Sequence, residues 1–106
     1  MIVHSNFSTS DKQSYRFRRV LPDNTYTGVP GVYALTHVKN FPIEPLMFKA
    51  TNDLGCIEQS LLDTDPQIVA LRGKYQVGVA VFPMPRTSAE QREAVALALN
   101  SAINDP

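Results

Sequence analysis

Hydrophobic and polar positions alternate with a period of two in several stretches of the chain, the spacing of side chains on a strand. From Ser14 to Val20, Tyr15, Phe17 and Arg19 fall opposite Arg16 and Arg18, which predicts an edge strand. The segment LPDNTYTGVPG that follows holds Pro22, Asp23, Asn24, Gly28, Pro30 and Gly31 and reads as turn chemistry. A strand is expected from Val32 to Val38, with Val32, Ala34, Thr36 and Val38 on one face and Tyr33, Leu35 and His37 on the other. After a loop with Pro42 and Pro45, Leu46–Ala50 is a second apolar run, antiparallel to the first if the loop is a hairpin. Tyr75–Phe82 is apolar or small on both faces, as a central strand is, and Val79 in its middle is expected to be fully buried. Pro83 and Pro85 end it.

A period near 3.6 takes over elsewhere. Asn52 or Asp53 is suited to cap a helix carrying Leu54, Ile57, Leu61 and Leu62 on one face. Asp65 as cap and Pro66 at the first helical position open a shorter helix that Gly73 stops. Thr87 followed by Glu90 is a capping box for a last helix running to about Ile103, apolar all round from Ala94 to Leu99 and so expected to be well buried. The predicted fold is α/β (α+β): a small three-stranded antiparallel sheet flanked by helices, in the order β-β-α-α-β-α, with room for an extra N-terminal strand. Residues 1–13, polar and serine-rich, read as a flexible lead-in, and residues 14–106 as one domain.

Composition narrows the classes. Ten basic residues balance ten acidic ones, which disfavours a strongly basic nucleic-acid binder. The single Cys56 excludes an internal disulfide and a cysteine-based zinc site and suits a reducing compartment. No apolar run approaches the roughly 18 residues of a membrane span, and the N-terminus lacks a signal-peptide core. A cytoplasmic protein without a membrane partner is the expectation.

Pro30-Gly31-Val32-Tyr33, a hairpin, then Thr51-Asn52-Asp53-Leu54 at a helix start, with the helical segment from Thr87 to Pro106, resembles the GIY-YIG nuclease family over roughly Val29 to Pro106. The resemblance implies a divalent-metal endonuclease site, in which a tyrosine activates water, an arginine holds phosphate and a glutamate binds Mg²⁺ or Mn²⁺. Tyr33 matches the first-motif tyrosine. The second motif falls on Met47-Phe48-Lys49, the helix arginine on Ile57, and the glutamate near Ala98, with Glu93 the nearest carboxylate. No arginine lies between Arg19 and Arg72, and lysine does not copy the bidentate guanidinium grip.

The resemblance therefore implies a degenerate, non-catalytic member that works by binding a protein or nucleic acid, with no cofactor and no metal site. One alternative is a divergent Mg²⁺- or Mn²⁺-dependent endonuclease using Tyr33, His37, Lys49 and Glu93, the first two forming a relic acid/base pair on one strand face. Another is a small inhibitor or immunity-type protein of bacterial or phage origin. The candidate binding residues are Lys12, Arg16, Arg18 and Arg19, four of the ten basic residues within eight positions. They suit phosphate or an acidic surface, and equally a strand edge kept from aggregating by charge.

Overall fold

The computed structural model describes residues 4–19, 28–37, 44–54, 66–74 and 76–104. Five strands and two helices follow in the order β1 (His4–Ser8), β2 (Ser14–Arg19), β3 (Gly31–His37), β4 (Glu44–Thr51), α1 (Pro66–Arg72), β5 (Val77–Pro83) and α2 (Ala89–Asn104). The strands form one antiparallel sheet in the spatial order β1-β2-β5-β3-β4. The three-stranded sheet and the β-β-α-α-β-α order expected from the sequence are thus replaced by five strands. The predicted helix from Leu54 to Leu62, with Cys56 and Ile57, lies outside the described residues except at Leu54.

β2 is the extra N-terminal strand the sequence left room for, and β1 is the strand it did not show. His4–Ser8 has one buried apolar side chain, Phe7, so its pattern carries no alternation to detect. It nonetheless pairs with β2 from His4↔Arg18 to Ser8↔Ser14 through a tight turn in which Lys12 adopts a φ of 68°. Part of the expected lead-in is therefore a sheet strand, and β2, expected at an edge, is covered by β1 on one side and β5 on the other. The expected β3–β4 hairpin and the central position of β5 both stand.

One face of the sheet meets α2. Phe7, Phe17, Val32, Ala34, Phe48 and Ala80 pack there with Ala96 and Leu99 of the helix. Phe7 touches both Phe17 and Phe48 edge to face, at centroid separations of 5.3 and 5.4 Å, and Phe17 reaches Phe48 at 5.5 Å. In a flat sheet β1 and β4, four strand spacings apart, would lie roughly 19 Å from each other. The aromatic contacts therefore require a strongly curled sheet, with α2 laid along its concave side. Helix α2 is buried on one side only: Ala96 and Leu99 face the core, while Leu97 is 68% exposed. This corrects the expectation of all-round burial.

The other face carries a smaller cluster of Tyr33, Val81 and Leu54, with Val79 partly buried rather than fully so. Gly31 explains how Leu54 comes this close. A Cβ at position 31 would stand 2.4 Å from the Phe82 carbonyl oxygen and 2.8 Å from the Leu54 side chain. The glycine of the Gly-Val-Tyr triplet is thus required by packing.

Candidate functional site: the groove along the β4 edge

Strand β4 is an edge strand, and its free side faces α2 and α1. A bulge opposite Leu35 and Thr36 sets Met47 against Leu35 and Pro45 against Thr36, leaving Leu46 as the extra residue. Downstream the register is regular, with Ala34↔Phe48 and Tyr33↔Lys49. Three contiguous recesses run along this edge. The first, about 640 Å³, lies between Met47, Lys49, Leu71, Lys74 and Asn100. The second, about 270 Å³, shares Lys49 and Asn100 with it and adds Glu93 and Leu97. The third, about 320 Å³, lies at the end of β4 between Ala50, Asn52, Ala89, Arg92 and Glu93.

Asn100 sits over the middle of the groove. Its side-chain Oδ1 accepts a hydrogen bond from the Phe48 N–H at 2.8 Å, and its Nδ2 donates to the Phe48 carbonyl at 2.9 Å. The backbone groups of Phe48 therefore point away from β3, and a primary amide engages both of them as a neighbouring strand would.

Arg92 closes the far end. It is 6% exposed. Its Nη1 donates to the Thr87 carbonyl and hydroxyl oxygens, and its Nη2 donates to Asn52 Oδ1 at 2.6 Å. Each acceptor is neutral. The N-terminus of α2 is held beside it by a capping box in which Gln91 N–H donates to Ser88 Oγ and Ser88 N–H to Gln91 Oε1. The expected box of Thr87 and Glu90 is therefore displaced by one residue: the Thr87 hydroxyl instead donates to the Met84 carbonyl and accepts from Arg92. Asn52, expected as a helix cap, spends its side chain on Arg92.

Of the residues singled out from the sequence, the sheet brings Tyr33 and Lys49 together and leaves the others apart. Tyr33 and His37 share the face opposite α2, but they stand four positions apart on β3, roughly 13 Å along the strand. Leu35 lies between them, so they are not the neighbouring pair the sequence reading expected. Tyr33 is 5% exposed and packs with Leu54 and Val81. Lys49 is its cross-strand neighbour on β4. Glu93 lies on α2, on the other side of the sheet, and meets Lys49 only across the second recess.

The basic residues do not make one patch either. Arg16 and Arg18 share the outer face of β2, where an Arg16 Nη2 lies 3.3 Å from His4 Nδ1. Arg19 alternates onto the face of Phe17, and Lys12 stands at the exposed hairpin tip. Among the described residues no group of three or more His, Cys, Asp or Glu side chains is placed to hold a metal ion. Among the described residues no helix is long and apolar enough to cross a membrane.

Sequence reasoning passed over Arg92 and Asn100. A signal for Arg92 was present: it lies on the stripe 92, 96, 99, 103, whose other members are Ala96, Leu99 and Ile103, so a cation interrupts the core-facing side of the helix. Asn100 carries no such signal, since one asparagine on a helix flank is ordinary. Neither a family model, nor a curated protein, nor a solved structure matches the chain.

Proposed function

We propose that this protein is a non-catalytic binding module whose β4–α2 groove takes an extended peptide as an added strand. The observation that carries this reading is the Asn100 amide on Phe48. A side-chain amide engages an outward N–H and C=O of the edge as a strand would, and a peptide backbone takes up the same two groups by displacing Asn100. Register makes Ala50, two residues on, the next position whose backbone groups face outward. The recesses on either side of Asn100 offer space for alternate side chains of such a peptide.

Binding without catalysis also fits the rest of the chain. Tyr33, packed under Leu54 and Val81, is poorly placed to activate water, and Glu93 lies across the sheet from it. The likeness to GIY-YIG nucleases enters this proposal only as a degenerate relationship, and its residues supply no metal-centred step. The single cysteine keeps a cytoplasmic setting in the proposal.

The test is selection of peptides from a displayed random library, followed by a scan of backbone N-methylation in the best binder. Strand addition predicts a period-two result: methylating alternate nitrogens abolishes binding and methylating the others leaves it intact. Ala50→Pro, which removes an outward N–H, should weaken the same peptide. Binders that tolerate every N-methylation, or that perturb Arg16 and Arg18 on the β2 face instead, would remove the groove from the proposal. Salt-steep binding of single-stranded nucleic acid at that β2 face would favour the nucleic-acid reading in its place.

A further inference from the structure

We propose that the Arg92 recess captures a carboxylate, namely the free C-terminal carboxylate of an extended peptide lying along β4. This deepens the peptide-binding reading above and rests on it. The argument begins with charge. A guanidinium is ionised at any pH the protein meets, and burying it without a counter-ion is costly. Arg92 is nine-tenths buried, and its three acceptors (the Thr87 carbonyl, the Thr87 hydroxyl and the Asn52 amide oxygen) carry no charge.

Those bonds leave part of the guanidinium fork unspent, since arginine has five N–H donors. No Arg92 nitrogen is among the buried polar atoms that lack a partner. Nε, which makes none of those bonds, therefore keeps some access to solvent, and Arg92 lines the recess of about 320 Å³. Ala89, in the first turn of the 16-residue α2, lines the same recess, which places the positive end of the helix there as well.

The type of anion follows from Glu93. Glu93 lines the same recess, and a like charge nearby penalises a dianion more than a monoanion. A single carboxylate suits the site better than a phosphate. The recess is continuous with the groove, sharing Ala50 and Glu93 with its middle section, and it lies at the C-terminal end of β4, so a chain paired parallel to β4 reaches Arg92 with its C-terminus.

The experiment uses two probes. Acetate and inorganic phosphate are titrated separately into isotope-labelled protein while the amide signals of Asn52 and Ala89 are followed. A library-selected peptide is also made twice, as the free acid and as the C-terminal amide. Saturable shifts with acetate, weaker effects with phosphate, and an affinity about ten- to a hundredfold higher for the free acid are expected. Arg92→Lys should erase most of that preference. Glu93→Gln should raise acetate affinity, a gain that a purely structural Arg92 would not produce. If Arg92→Lys fails to fold, Glu93→Gln and Asn52→Ala carry the same comparison.

Absence of acetate shifts, or equal binding of acid and amide peptides, would overturn the carboxylate site while leaving strand addition standing. Tighter binding of phosphate than acetate would also overturn it and reassign the recess to a phosphate ligand. Acetate binding with no peptide selected would reject the groove and the C-terminal assignment together.

Discussion

Phe7 in β1 and Phe48 in β4 meet edge to face at 5.4 Å, although three strands separate them in the sheet. The contact links the two outer strands of the sheet through their side chains, across the concavity that α2 fills. It also places the polar β1–β2 hairpin under the same packing constraint as the β4 groove.

Double-mutant analysis should detect that link. Phe7→Leu and Phe48→Leu should each destabilise, and their effects should fall short of additivity by about 0.5–1.5 kcal/mol. Urea melts of the four proteins measure it. Full additivity would mean that β1 does not close onto β4 in solution.

Gly31→Ala should be among the most damaging small substitutions in the chain. The new Cβ meets a backbone oxygen of β5, which has no rotamer by which to move aside. A loss of about 1–3 kcal/mol is expected. Gly73→Ala is the control: its Cβ would meet only an ordinary contact at 3.4 Å and φ is not positive there, so thermal melting should change little.

Ser88→Ala should cost about 1 kcal/mol through loss of the α2 cap. Changing Glu90, the partner expected from the sequence, to Ala should cost less, because Gln91 closes the capping box. Thermal melts that reversed this order would return the cap to Thr87 and Glu90.

Removing the Asn100 amide should expose the β4 edge. Asn100→Ala forfeits two hydrogen bonds of about 0.5–1.5 kcal/mol each. Hydrogen exchange at Phe48 N–H should accelerate more than at neighbouring β4 amides that pair with β3. Concentration-dependent self-association, read by sedimentation, should rise as the unguarded edge finds another copy.

Incubation of wild-type protein with plasmid and Mg²⁺ or Mn²⁺ should give no cleavage. Tyr33 packs on Leu54 and Val81, and Glu93 stands on the opposite side of the sheet. Turnover lost in Tyr33→Phe would instead establish the divergent endonuclease.

Individual elements were legible because they are local, although the three-stranded architecture expected from them was not the one formed. Alternation over Tyr15–Arg19 marks Phe17 as the buried side of β2, the β-rich run Val32–His37 marks β3, which is buried on both faces, and the two apolar faces of β5 place it centrally, where the sheet has it. Pro66 marks the start of α1 because a missing N–H costs nothing there. The β1 strand was illegible because one phenylalanine in five residues sets no period, and its pairing is stabilised by Phe17 and Phe48 from other strands.

The candidate site belongs to the second kind of information. Tyr33, His37, Lys49 and Glu93 were grouped as candidates, and the sheet sets Lys49 beside Tyr33 but His37 and Glu93 apart from it, because strand register and helix placement, not sequence proximity, decide which side chains meet. Asn100 reaches Phe48 across 52 positions and Arg92 reaches Asn52 across 40. The sequence by itself determined which residues prefer strand, turn or helix, since those preferences arise from neighbouring residues. Only the tertiary structure decided the curl of the sheet, the exposed edge of β4 and the buried cation at its end. Each depends on long-range packing, whose partners no local period names.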